Sequence, residues 1–219
     1  MVSRCRDYLY SGTEEPEVVI DAEAFRYEIY DSRLTRAQIV YMETGWQFCS
    51  GLLDYGGLYL HASAVELDGK AYLFSAASGV GKSTHTRLWQ QLHGSKARII
   101  NDDKPALRCL DGVWYAYGTP WCGKDGINQN RRVPLAGICF LKRGERNAIV
   151  RLSSMEVLQR IMTQTMHKFT RKEKTTALLS HLDKLLSQIP VFELECLPDE
   201  AAARLSYETM RRKAEEMGL

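Results

Sequence analysis

Residues 71–89 read AYLFSAASGVGKSTHTRLW. A short apolar run gives way to small residues with two glycines, and Lys-Ser-Thr then opens a segment of helical spacing. The relaxed phosphate-loop pattern, small-x-x-x-x-G-K-[ST], runs from Ala76 to Ser83, with Ala76 where the strict form has glycine. Gly79 and Gly81 let the backbone curl so that successive N–H groups point at one anion. Helix onset at Lys82 adds the positive end of a helix dipole. Lys82 is suited to the outer phosphates of a nucleotide, and Ser83 to Mg²⁺. The candidate cradle is therefore Ser78, Gly79, Val80, Gly81, Lys82, Ser83 and Thr84. A glycine-rich strand-to-helix turn with no ligand is the competing reading, and the flanking sequence weighs against it.

Working outward, LYLHASAVEL and KAYLFSA are joined by Asp68-Gly69, a two-residue hairpin turn signal. The first of these strands carries His61, either a tuner of a nearby carboxylate or a satisfied core histidine. After the helix, ARIIN reads as a strand ending at Asp102 and Asp103. Nucleotide-borne Mg²⁺ takes one or two carboxylates, and phosphoryl transfer to a hydroxyl uses a proton acceptor. Neighbouring strand residues face opposite ways, so both acids serve one site only if the strand stops there. Lys104-Pro105 makes that break. A capping or turn pair is the alternative.

ALRCL-DG-VWYAYG is a second hairpin, and PLAGICFLKRG is a buried strand. Between them, residues 119–133 have no period and are rich in Gly, Asn and charge, the composition of a functional or mobile loop. Lys124, Arg131 and Arg132 are its candidate phosphate or acidic-substrate ligands. Gly118, Gly123 and Gly126 suggest a closing lid, and Trp121 a stacking surface for a base or substrate ring. Thr35 to about Leu53 has helical spacing at Ile39, Met42, Trp46 and Cys49. EVVIDA and FRYEIY read as short N-terminal strands. Residues 153–188 read as two helices, VFELEC as a strand, and 198–217 as a terminal helix with acids at its start. His85, His93, His167 and His181 carry no partner pattern. The basic run at 167–176 reads as a solvated helix start.

Of 219 residues, 45% are hydrophobic and 26% charged, with a net charge of +2, too near neutral to argue for nucleic acid. Six scattered cysteines without a CxxC pair suit reduced thiols. With no membrane-length apolar run, the expectation is a cytoplasmic chain forming one domain, 1–219, in which residues 1–55 are an extension packed on a core of 56–219.

The segment LHASAVELDGKAYLFSAASGVGKST…ARIINDDKP resembles the catalytic domain of HPr kinase/phosphorylase over residues 58–108. Through YGTPWCGK, VPLAGICFLKRG and VFELECLPDEAA the chain is also similar to smaller HPr-kinase-like proteins, some of peptide-modification gene clusters. The resemblance implies an α/β fold with the P-loop core on a mixed sheet, as in ATP-dependent phosphoenolpyruvate carboxykinase, and a short N-terminal β/α extension. It implies that Lys82 contacts the β- and γ-phosphates, Ser83 binds Mg²⁺, Asp102 is the base toward a serine hydroxyl with His61 near it, and Asp103 supports the metal. The glycine-rich segment that serves the phosphorylase reaction is not found, so hydroxyl phosphorylation carries over and HPr itself does not. Homo-oligomers occur in that family.

The expected activity is ATP- and Mg²⁺-dependent transfer to Ser or Thr of a peptide or small protein, with GTP open as donor. A small-molecule kinase acting on an alcohol such as free serine, a carboxykinase-like enzyme and a non-catalytic nucleotide-binding regulator are the alternatives.

Overall fold

The computed structural model describes residues 19–165 and 172–219. Its elements run α1 (Arg36–Leu52), β1 (Gly57–Tyr59), β2 (Ala62–Leu67), β3 (Lys70–Ser75), α2 (Lys82–His93), β4 (Arg98–Asn101), β5 (Ala106–Leu110), β6 (Val113–Tyr117), β7 (Arg132–Arg143), β8 (Ala148–Arg151), α3 (Ser154–Gln164), α4 (Lys172–Gln188), β9 (Val191–Cys196) and α5 (Glu200–Glu216). Helix starts follow the local chemistry. Thr35 with Gln38 and Ser153 with Glu156 form capping boxes, and Asp199 accepts the Ala202 N–H at the head of α5. Each such cap contributes about 1 kcal/mol.

The sheet is mixed, as expected. β7 lies between β3 and β9, parallel to both. β2 lies antiparallel beside β3 and carries β4 antiparallel on its far side. The long strand β7 serves two ladders: its start pairs antiparallel with β6, its later part parallel with β3 and β9. Between Ala64↔Asn101 and Val65↔Ile99, β4 advances two residues while β2 advances one, so Ile100 is a bulge residue. Asp68 (φ 50°) with Gly69 (φ 74°), and Asp111 (φ 50°) with Gly112 (φ 83°), close the two hairpins as the Asp-Gly pairs foretold.

Both sheet faces are covered, so the central strands are apolar on successive residues rather than alternating. Leu73 joins Leu58, Ile138, Ile161, Leu178 and Leu182 on one face. Phe74 joins Tyr72, Trp89, Ala203 and Met210 on the other, under α2 and α5. Burying each large side chain contributes about 1.5–3 kcal/mol, and Phe74, Leu73 and Trp89 are wholly inaccessible.

Several expectations are corrected. Residues 25–30 do not form a strand: the segment holds short 3₁₀ turns at Ala22–Ala24 and Tyr27–Ile29, fixed by Asp21 accepting from Glu23 N–H and by the Tyr27 hydroxyl on Ala22 O. EVVIDA begins outside the described residues, as do His167 and the start of the basic run. On α1, Met42 and Trp46 are exposed, and the buried stripe is Ile39, Gly45 and Cys49. LYLHASAVEL breaks at Leu60-His61, with β1 pairing β5 and only β2 pairing β3. β8 was not foreseen. Among the described residues, no helix is long and apolar enough to cross a membrane.

Candidate active site

β2 runs antiparallel to both β3 and β4, so β3 and β4 point the same way and end at the edge where β2 begins. The phosphate-loop segment after β3, the acids after β4 and His61 before β2 therefore meet. Ala62 pairs with Ser75, and its N–H donates to Asp103 O at 3.0 Å.

Gly79 (φ +80°) and Gly81 (φ +130°) hold dihedrals that side chains avoid. A Cβ at either would touch nothing within 4 Å, so conformation rather than space calls for glycine. Gly81 is the N-cap of α2 and offers no side chain, so the first-turn N–H groups keep their capacity for an external acceptor. Lys82 is buried and donates to Ala76 O at 2.9 Å; burial pushes its pKa down. Arg143, unnoticed in the sequence, donates to Gly79 O at 2.5 Å and Val80 O at 3.3 Å.

A cleft of about 650 Å³ gathers Ser78, Gly79, Gly81, Lys82, Ser83 and Thr84 with His61, Asp102, Asp103, Lys104 and Lys124. Val80 faces elsewhere, lining two neighbouring cavities. Asp102 is buried and accepts the Gly123 N–H at 2.6 Å; burial raises its pKa despite that bond. Asp103 meets His61 Nε2 through Oδ1 at 3.1 Å and Lys104 Nζ through Oδ2 at 2.5 Å. Burial alone would raise the Asp103 pKa, but His61 and Lys104 together bring it to about 2.

His61 shares the cleft with Asp102, but the carboxylate its ring contacts is that of Asp103. Asn101 explains the geometry. Its Oδ1 accepts the N–H groups of Asp103 (2.9 Å) and Lys104 (2.7 Å), a local turn that ends β4 and carries Asp103 round toward His61. The other ring nitrogen of His61 lies 3.0 Å from Gln164 Oε1, and the His61 N–H donates to Gln164 O at 2.8 Å. Gln164, at the end of α3, had no local signal.

The loop after β6 departs further from expectation. Arg131 pairs with Glu66 at 2.8 Å and Arg132 lies over the Tyr115 ring, 5.0 Å from its centroid; neither lines the cleft, and Lys124 does. Trp121 is buried, stacks on Phe48 at 4.7 Å and donates to Tyr41 O at 3.0 Å. It is a structural peg rather than a ligand platform. Gly118 and Gly123 have a steric reason of their own. A Cβ at Gly118 would meet Gln129 O at 1.9 Å, and one at Gly123 would meet the Asp102 carboxylate at 3.0 Å, so both permit close approach.

The Ser83 hydroxyl and the two carboxylates are hard oxygen donors of the kind Mg²⁺ takes. Among the described residues no three or more His, Cys, Asp or Glu side chains gather to hold a metal by themselves. The donor set fits an ion that brings phosphate oxygens with it. His85 is not part of the site: buried against Phe74, with Nε2 3.0 Å from Ser206 Oγ, it has its pKa pushed down to about 4 by burial.

A family model described as "SynChlorMet cassette protein ScmC" matches residues 28–198. No curated protein matches the chain. Among solved structures, the chain is similar to the Hpr(Ser) kinase/phosphatase from Coxiella burnetii, at 11% identity over 74% of this chain and 99% of that one, with a TM-score of 0.42.

Proposed function

We propose that this chain, which belongs to the ScmC family of SynChlorMet cassette proteins, is a phosphotransferase. In this reading it moves the γ-phosphoryl group of ATP, with Mg²⁺, to the hydroxyl of Ser or Thr on a peptide or small protein. The observation that carries the reading is the convergence of Lys82, Ser83, Asp102, Asp103 and His61 on one cleft at one sheet edge. Phosphoryl transfer needs positioning and positive charge more than covalent chemistry. The glycine-bearing loop and α2 supply N–H donors, while Lys82 and Lys124 supply charge.

Ser83 and Asp103 would hold the ion, which when bound offsets charge on the phosphates. Asp102 is the proton acceptor toward the incoming hydroxyl, because burial makes it the stronger base of the pair. Asp103, held ionised by His61 and Lys104, keeps both side chains in place beside the cleft. Gln164 orients the His61 ring through its second nitrogen. Residues 19–55 and the described remainder act as one domain in which α1 buttresses the loop through Tyr41 and Trp121.

The test is to follow γ-labelled ATP among candidate acceptors by mass spectrometry, chiefly peptides encoded beside this gene, with free serine as a small-molecule control. Label on a peptide Ser or Thr, lost on Asp102→Asn with nucleotide binding retained, supports the reading. Binding without transfer to any acceptor would make the chain a nucleotide-dependent regulator instead.

A further inference from the structure

A second cavity, of about 380 Å³, shares Gly79, Gly81 and Thr84 with the cleft but none of its acids. Its walls are largely apolar: Val80, Leu88, Leu141, Leu197 and Pro198, with Cys196 among them. The polar groups around it are engaged elsewhere. Arg143 is turned to the carbonyls of Gly79 and Val80, His85 meets Ser206, and the Leu197 N–H donates to Asn147 at 2.8 Å. Apart from the Arg143 guanidinium the surface is uncharged, and Leu197 is left 38% exposed.

We infer that this cavity receives the purine base and ribose of the nucleoside triphosphate whose phosphates lie on the loop. The inference rests on the phosphate-loop reading proposed above. Thr84, in the first turn of α2, borders both spaces, so a ligand anchored by phosphate at that turn continues into the cavity past one residue. A planar base offers two apolar faces, and sites for such groups are apolar hollows of roughly 300–1,000 Å³ with few polar contacts. A further hollow beside the loop, about 360 Å³ at Ala76, Ala77 and Val80, shares no lining residue with the cleft. It carries Lys142 and the Arg160–Glu193 ion pair and reaches Gln164, next to the residues that handle the acceptor.

Cys196 makes the inference testable by a readout other than activity. The experiment measures alkylation of each cysteine in the whole chain by mass spectrometry at mildly alkaline pH, because burial raises the Cys196 pKa. Half-buried Cys109, on β5, is the internal control. The additions are Mg²⁺ with ATP, with GTP, or with inorganic triphosphate, which has no base, and melting temperature is followed in parallel. The expected result is that all ligands that bind raise the melting temperature, while a nucleotide slows labelling of Cys196 relative to Cys109 and triphosphate does not.

Nucleotide binding without protection of Cys196, or equal protection by triphosphate, would overturn the inference and leave the phosphate loop standing. No melting shift with any of them would remove the phosphate-loop reading and this inference together. As a second measure, Leu88→Trp fills the cavity. It should weaken nucleotide binding about tenfold or more and leave triphosphate affinity unchanged; an equal loss of both overturns the inference.

Discussion

His61 and Asp103, distant in sequence, face each other across 3.1 Å, and Lys104 closes on the same carboxylate from its other oxygen. The pair links the start of β2 to the turn after β4. On the proposed mechanism, His61→Ala should lower the transfer rate by about 10²-fold with nucleotide affinity little changed. An equal fall in affinity would mean that the imidazole shapes the cradle rather than the transfer.

The same contact sets an acid response. Asp103 titrates near 2 in the folded chain, against about 3.9 when unfolded. The stabilisation it contributes is therefore complete above the unfolded value and is lost as pH falls through about 2. Urea titrations in the window between pH 4 and 2 should show a steep loss of stability in the parent chain and a shallower one in Asp103→Asn. Identical slopes would contradict the ion-pair geometry.

Asp102 has the opposite sign. Burial raises its folded pKa, so the folded chain binds the extra proton and stability falls as pH rises through the gap between unfolded and folded values. Asp102→Asn retains an acceptor for the Gly123 N–H without a buried charge. Thermal melts of the ligand-free chain at neutral pH should show a gain of order 1 kcal/mol, the usual size of a stabilising substitution, while transfer is abolished. A variant that melts lower would place the acid in a structural role.

Lys82→Ala should weaken ATP binding by about 10- to 100-fold, the scale of one or more charge-assisted hydrogen bonds. Arg131→Ala and Arg132→Ala should change it by less than about threefold, since their partners are Glu66 and Tyr115, which do not line the cleft. Calorimetric titration separates the two groups, and a large effect at Arg131 would count against the arrangement of the loop.

Trp121→Ala should cost about 3–5 kcal/mol by removing the stack on Phe48 and the bond to Tyr41 O. Gly45→Ala should cost about 1–3 kcal/mol, because a Cβ there would sit 2.7 Å from the Trp121 ring. Denaturant melts measure both, and a neutral Gly45→Ala would show that the helix and loop are not wedged together.

What could be read from the sequence was local. The curl at Gly79 and Gly81, the Asp-Gly hairpins and the acids closing a short strand each declare themselves within a few residues. What could not be read depends on distant partners. Gln164 reaches His61 across 103 residues, and Arg143 reaches the phosphate-loop segment across 64. Arg131 and Arg132 had the right charge in the right loop, but β7 begins at Arg132 and leads both away from the cleft. Trp121 looked like a ligand surface because a polar loop held an aromatic; its recess on α1 is visible only when Gly45 is seen beneath it. Residues 25–30 alternate like a strand, yet among the described residues no strand accepts them, and they settle into 3₁₀ turns.

The extra residue at Ile100 has a phasing effect on the edge of the cleft. It decides how far the chain has travelled when it leaves the ladder, and so which acid is handed to the imidazole and which is tucked beneath Gly123. Shortening β4 by that one position would move Asp103 into the place of Asp102, Asp102 into that of Asn101 and Lys104 opposite the imidazole, undoing the pairing without altering a single functional side chain.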